Sequence, residues 1–374
     1  MQNIDWSNRL IGIKGSRGIG KTTLLLQYIK LHFEIGKKAL YISLDDLYFA
    51  ENKLYNLAEK FHLEGGELIV IDEVHRYENW AIEIKNLYDD FPNLKIIFTG
   101  SSLLHLQYAK ADLSRRAVVY NMPGLSFREF LEFENDIELP FYNLENLLEN
   151  HSKISIDIIE KIKPLEHFSN YLNLGYYPFY NENKNVFHQK LSELILTVLE
   201  VDITQFASLQ VSNIVYLKKL LTIISHSVPF KPNMKKLSER TGISLNTMKQ
   251  YMKLLHDAEL INLLYAEDKG IQSLNKPEKV YLNNTNLMYN LASENANIGN
   301  IRETFFFNQL NFQNKVKASN EVDFYVADKY SFEIGGKNKS QKQAQGLKNA
   351  YIIKDGIEIG SGNIVPLWLF GFLY

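Results

Sequence analysis

The chain has 374 residues, 45% of them apolar and 22% charged, with 41 basic and 43 acidic side chains and a formal net charge of -2. Those proportions exclude collagen-like, coiled-coil and wholly disordered chains, and the length corresponds to about two to three domains. The near-neutral balance excludes a generally basic nucleic-acid coat, though not a local basic face, and the lack of cysteine removes disulfides, zinc ribbons and thiol nucleophiles.

The opening Met1-Gln2-Asn3-Ile4-Asp5-Trp6 has neither the basic region nor the long apolar stretch of a secretory signal. The most apolar tract, Ile364 to Tyr374, is shorter than the roughly 20 residues a bilayer span needs. The expectation is a soluble, cytoplasmic protein with no membrane partner.

Short apolar runs alternate with helical patterns through the first third. Leu10 to Lys14, Ala39 to Ser43, Leu68 to Asp72, Lys95 to Thr99 and Ala117 to Tyr120 read as strands. Lys21 to Ile35 reads as a helix, with Gly36 as its stop. Nearly unbroken apolar strands separated by helices predict a parallel sheet with helices on both faces, an α/β arrangement.

Between the first strand and the first helix, Gly15-Ser16-Arg17-Gly18-Ile19-Gly20-Lys21-Thr22 fits G-x-x-x-x-G-K-[ST] at every specified position, with Thr23 next to it in the helix. Glycines let the backbone curl so that successive N–H groups face phosphate oxygens, and the helix N-terminus adds its positive dipole end. Lys21 is placed to reach the β- and γ-phosphates, and the Thr22 hydroxyl to ligate Mg²⁺. Some 50 residues on, Ile69-Val70-Ile71-Asp72-Glu73 carries two carboxylates out at the carboxyl edge of a strand, where open α/β sheets bind ligands. Asp72 is the candidate second Mg²⁺ partner and Glu73 the candidate base that orients an attacking water. His75 follows and reads as a capping or packing residue.

The next strand ends Phe98-Thr99-Gly100-Ser101-Ser102, where Thr99 or Ser101 is the candidate γ-phosphate sensor and Ser102 a helix N-cap. Leu113-Ser114-Arg115-Arg116 precedes the last strand, and an arginine there can neutralise transition-state charge or simply lie on the surface. These motifs, in this order and followed by Pro123-Gly124-Leu125-Ser126-Phe127-Arg128-Glu129-Phe130, resemble the prokaryotic AAA+-type ATPases of the archaeal ATPase-like group with a C-terminal domain of unknown function. The matching motifs lie within about residues 10–135. The resemblance implies ATP and Mg²⁺ as ligands, an AAA+ module followed by a helical part, a winged helix and a domain resembling restriction endonucleases, and a possible homo-oligomer. It leaves open whether Arg115, Arg116 or Arg128 reaches nucleotide, in the same chain or a neighbouring one.

From Ser126 the period turns helical, with Phe127, Phe130, Leu131, Leu144, Leu147 and Leu148 spaced for helix faces. A further helical region spans Ile214 to Ile224. Lys236 to Ser244 then reads as a short helix, a glycine turn and an N-cap, followed by a helix over Leu245 to Asp257 and a wing strand over Leu260 to Tyr265. That pattern resembles a winged helix-turn-helix, with Lys235, Lys236, Arg240 and Lys249 available to phosphates and Ser244, Asn246 and Thr247 opening the second helix. Either DNA or a protein partner suits such a module.

In the last hundred residues we expect a helix near Ile301 to Leu310, a hairpin about Asp328, a helix at Gln341 to Asn349 and two final strands. A hairpin symmetric about Asp328 opposes Asp323 and Glu333 on one face, about 5 Å apart at Cβ. With Glu303 and Lys337 or Lys339, this spacing resembles a metal-dependent nuclease core. The pattern is defective, because a Glu-x-Lys element needs lysine where the chain has Gly335. The domains drawn from all this are a P-loop ATPase core over 1–125, a helical lid over 126–205, a winged helix-turn-helix over 206–275 and an endonuclease-like α/β domain over 276–374. The functional expectation is an ATPase that hydrolyses Mg-ATP to switch the later modules on DNA or a protein partner. The alternatives are a nucleotide-gated binding module with negligible turnover, and an ATP-regulated metal-dependent nuclease.

Overall fold

The computed structural model describes residues 4–33, 38–100, 113, 115–204, 211–227, 229–266, 276–292, 297–339 and 346–374. The chain divides into two compact units, one over Met1–Gly124 and one over Leu125–Thr204 and Leu209–Tyr374.

The first unit is a five-stranded parallel sheet. Its strands are β1 (Leu10–Lys14), β2 (Ala39–Ser43), β3 (Leu68–Asp72), β4 (Lys95–Gly100) and β5 (Val118–Asn121), in the spatial order β2-β3-β4-β1-β5. Helices α1 (Lys21–His32), α2 (Leu54–Leu63) and α3 (Trp80–Asp90) lie in the connections. The apolar runs explain both faces. Ile69 and Ile71 of β3 pack with Ile84 and Leu87 of α3, while Leu68 and Val70 pack with Ile11, Ile13, Leu25 and Ile97. Alternate side chains of one strand thus feed two cores, which is why β3 carries no polar residue until Asp72. Helix α1 ends at His32, with Phe33 as its extended cap, shorter than its sequence pattern suggests; Gly36 lies outside the described residues, as do Ser101 and Ser102.

The second unit opens with helices at Phe127–Asn135, Leu144–Ile159, Pro164–Asn170 and Phe187–Thr197. Ser126 and Glu129 form a reciprocal capping box at the first of them. After a helix at Val211–Ser225 come the pair Met234–Thr241 and Leu245–Asp257, joined through Gly242 at φ 71°. Strand β6 (Ile261–Leu264) then pairs antiparallel with β7 (Lys279–Leu282).

A second five-stranded sheet, mixed in direction, runs β12-β11-β10-β9-β8: β8 (Val316–Lys317), β9 (Phe324–Val326), β10 (Tyr330–Gly335), β11 (Ala350–Lys354) and β12 (Ile364–Pro366). The helix Ile298–Asn311 packs on it through Phe306, whose ring lies 4.6 Å from that of Phe370 and 5.2 Å from that of Phe332. Residues 346–349 form turns, and the rest of the helix expected at Gln341 to Asn349 falls outside the described residues. Among the described residues, no helix is long and apolar enough to cross a membrane.

Candidate functional site

The phosphate-loop motif sits between β1 and α1, and its glycines carry the conformations that require them. Gly18 has φ 81° and Gly20 φ 93°, the left-handed region that a side chain resists. At Gly15 the limit is space, since a Cβ there would meet the Met122 carbonyl oxygen at 2.3 Å. Lys21 is buried, and its ammonium donates to the carbonyls of Gly15 at 2.9 Å and Ser16 at 2.7 Å. The lysine therefore lies folded into the loop that is shaped to receive an anion.

Sheet order decides what surrounds the acidic strand end. Strand β3 has β2 on one side and β4 on the other. Asp72 is buried. Its Oδ2 accepts from the Thr22 hydroxyl at 2.6 Å and from the Tyr41 hydroxyl at 2.9 Å. Its Oδ1 accepts from the Thr99 hydroxyl and, at 3.1 Å, from the Glu73 backbone N–H. Thr22, Asp72 and Thr99, predicted separately, thus form one connected group. Burial, followed by the negative charge of Asp72, pushes the Tyr41 phenol well above its ordinary value. Tyr41 was missed by sequence reasoning because its strand reads only as apolar; pairing of β2 with β3, Ser43 beside Asp72, is what carries it there.

Glu73 follows at φ 52° and begins a short 3₁₀ turn over Val74–Arg76. Its carboxylate lies 3.3 Å from Nε2 of His75, whose side chain is fully buried. Of the two arginines, Arg115 is exposed, while Arg116 makes a two-pronged pair with Asp89 at 2.8 Å for each contact. Ser101 lies outside the described residues.

An oxygen pair made of a hydroxyl and a carboxylate, beside a loop of inward-curling backbone, is the donor set a hard divalent cation and a phosphate chain require. Residues 7–131 match the family described as an AAA domain. The chain carries an AAA-type P-loop domain. A second match covers residues 165–297 and is to a domain of unknown function, DUF8612. The uncharacterized protein MJ1637 of Methanocaldococcus jannaschii is 27% identical over 290 residues, 72% of this chain, and the chain spans 60% of that relative's length. Among solved structures, a Walker-type ATPase of Pyrococcus abyssi aligns with a TM-score of 0.41 at 13% identity, covering 76% of this chain and 91% of that one. AMPPCP-bound DnaA from Aquifex aeolicus aligns with a TM-score of 0.27 at 16% identity, covering 67% and 82%. Both likenesses are loose, and the AAA-type assignment rests on the sequence match and on the site.

Beyond the AAA-type domain, the second unit gathers the other predicted carboxylates. The hairpin register places Phe324 opposite Phe332, so Asp323 and Glu333 come next in line, and Asp323 accepts from the Ile334 backbone N–H at 2.9 Å. Lys279 of β7 lies 3.7 Å from Glu303 and 3.8 Å from Asp323. The Tyr281 hydroxyl donates to Glu303 at 2.7 Å. The lysine that reaches Glu333 is Lys339, at 2.5 Å; Lys337 is exposed and offers its backbone carbonyl to Lys354. Gly335 explains the choice, because a Cβ there would lie 2.6 to 2.7 Å from the Lys339 stem. Burial, then the neighbouring Asp323 charge, raises Glu303 above the usual carboxylate range. Glu333 is raised as well, chiefly by burial and then by Asp323, with Lys339 opposing. Among the described residues, no group of three or more His, Cys, Asp or Glu side chains is arranged to hold a metal ion.

In the helix pair, Ser244 caps the second helix by accepting from the Thr247 N–H at 3.2 Å. Lys235, Asn246 and Lys249 are exposed, and the side chains of Lys236 and Arg240 lie outside the described set.

Proposed function

We propose that the chain binds and hydrolyses Mg-ATP, using the change of nucleotide state to switch a winged-helix and C-terminal module that acts on DNA or a protein partner. The observation that carries this reading is the Thr22–Asp72 contact of 2.6 Å beside the phosphate loop. Lys21 and the loop N–H groups from Gly15 to Thr23 bind the phosphates, with Ser16, Arg17 and Ile19 lining the loop and Gly18 and Gly20 shaping it. Thr22 and Asp72 would hold Mg²⁺, which neutralises triphosphate charge when bound. Thr99 holds Asp72 and takes the sensor role with Ser101, and Glu73 orients the attacking water. Arg116 is occupied by Asp89, so Arg115 is the better candidate for neutralising transition-state charge, at a neighbouring copy's nucleotide in a homo-oligomer. Preference for adenine is inferred from the resemblance alone.

We assign residues 126–205 as a helical lid, 206–275 as the winged helix-turn-helix and 276–374 as an endonuclease-like domain. The Ser244-capped helix with its exposed Asn246 and Lys249, the exposed Lys235 of the helix before it, and strand β6 support the winged-helix reading. In the last domain, Lys279 and Lys339 already pair with the acidic side chains, which favours a structural role over phosphodiester cleavage.

Nucleotide titration combined with phosphate-release kinetics tests the assignment. Lys21→Ala is expected to weaken Mg-ATP binding by about a hundredfold or more, and Glu73→Gln to retain binding while turnover falls by about 10² to 10⁴. Turnover in either variant equal to that of the unaltered protein rejects the roles.

A further inference from the structure

The turn that follows β3 contains a carboxylate–imidazole contact beyond the roles assigned above. Glu73 is not glycine, yet it holds φ 52° and ψ 41°. A side chain in that region is sterically disfavoured and persists only when its surroundings over-determine it. Here the surroundings are visible. The Glu73 N–H donates to Asp72 Oδ1 at 3.1 Å and its carbonyl accepts from the Arg76 N–H at 2.9 Å. Its carboxylate meets Nε2 of His75 at 3.3 Å. The two partners differ sharply in exposure: the imidazole is 0% exposed and the carboxylate 21%. One end of the pair is therefore anchored in the protein interior and the other opens toward water. An imidazole sealed from solvent has few orientations available, so a carboxylate tied to it inherits that restriction.

We propose that His75 is a positioning residue that fixes the Glu73 carboxylate for its work on the attacking water. The inference deepens the hydrolytic reading of the site and rests on it. Orientation of the base matters because a misplacement of about 1 Å can cost a hundredfold in rate while leaving ground-state binding intact. His75 touches neither phosphate nor metal in this assignment; it acts through Glu73.

Two substitutions separate positioning from packing. Phenylalanine fills a similar volume without an N–H, and glutamine keeps a side-chain N–H donor. Steady-state phosphate release is measured for the full chain, with nucleotide Kd from fluorescent-analogue titration. His75→Phe is expected to lower kcat by about ten- to a hundredfold with KM and Kd changed less than about twofold. His75→Gln is expected to recover most of that loss. In a Glu73→Gln background, His75→Phe is expected to add no further loss, because the group it positions is already gone.

The proposal is overturned by unchanged kcat in His75→Phe, by loss of nucleotide binding together with turnover in that variant, or by His75→Gln being as slow as His75→Phe. Failure of the underlying reading looks different. There, the unaltered chain releases no phosphate, or Glu73→Gln turns over normally, and the inference falls with it. If Glu73→Gln is inactive while His75→Phe is normal, the inference alone fails.

Discussion

Two clusters of carboxylates in this molecule have been stabilised by opposite means. At the end of β3, Asp72 is surrounded by neutral donors: the hydroxyls of Thr22, Tyr41 and Thr99 and the N–H of Glu73. In the second unit, Glu303, Asp323 and Glu333 are held by ammonium groups, Lys279 against the first two and Lys339 against the third. Neutral donors orient a carboxylate and leave its charge available to a cation. Ammonium groups offset part of that charge and occupy the oxygens that a cation would otherwise meet. The presence of acidic residues at suggestive spacing therefore says little about metal chemistry until the partners of each oxygen are known.

The contrast can be broken most severely at Lys279. In Lys279→Met, Glu303 and Asp323 lose the cation beside them, and the expected cost is about 2 kcal/mol, less than for a fully buried pair because these groups retain some exposure. Chemical denaturation monitored by a probe in the second unit reads this directly; an unchanged midpoint would mean the cluster is not neutralised through Lys279.

A smaller effect sharpens the first cluster. Tyr41→Phe removes one neutral donor from Asp72 and should weaken Mg-ATP binding about fivefold, the equivalent of about 1 kcal/mol. Binding of nucleotide in the presence of a chelator should be unaffected. Calorimetric titrations with and without Mg²⁺ distinguish this from a general disturbance of β2.

The smallest effect is a pH slope. Because Glu303 is raised from its ordinary 4.5, the native chain holds a proton there that the unfolded chain has released. Stability contributed by this group is therefore present below about 4.5 and is lost as pH rises through the folded value, the reverse of an ordinary salt-bridged carboxylate. Glu303→Gln should flatten that part of the stability–pH curve, measured as unfolding midpoints from pH 4.5 upward. A slope identical to that of the unaltered chain would show that Glu303 does not titrate there.

Legibility followed the range over which each feature is decided. The phosphate loop is contiguous, and Gly18 and Gly20 are the residues that its left-handed backbone demands, so motif and conformation coincide. The end of β3 is legible because a strand buried on both faces must be apolar until it emerges, making Asp72 conspicuous. The hairpin register about Asp328 was likewise readable from the symmetry of two strand runs about a short turn. The length of α1 and the lysine at Glu333 were not. Lys337 and Lys339 differ little as sequence, and the glycine that looked like a defect in a motif turned out to be the space over which Lys339 crosses.

What the sequence by itself determined are the features set by near neighbours along the chain: the anion-binding loop, the α/β alternation, and the helix pair joined through Gly242. Only the tertiary structure decided that Tyr41 and Thr99 converge on Asp72, that Asp89 occupies Arg116, and that Lys279 stands between Glu303 and Asp323. The physical reason is that strand order and strand pairing bring together residues tens or hundreds of positions apart. Local propensity contains no record of which strand will lie beside which, and the charge state of a buried group depends on just that adjacency.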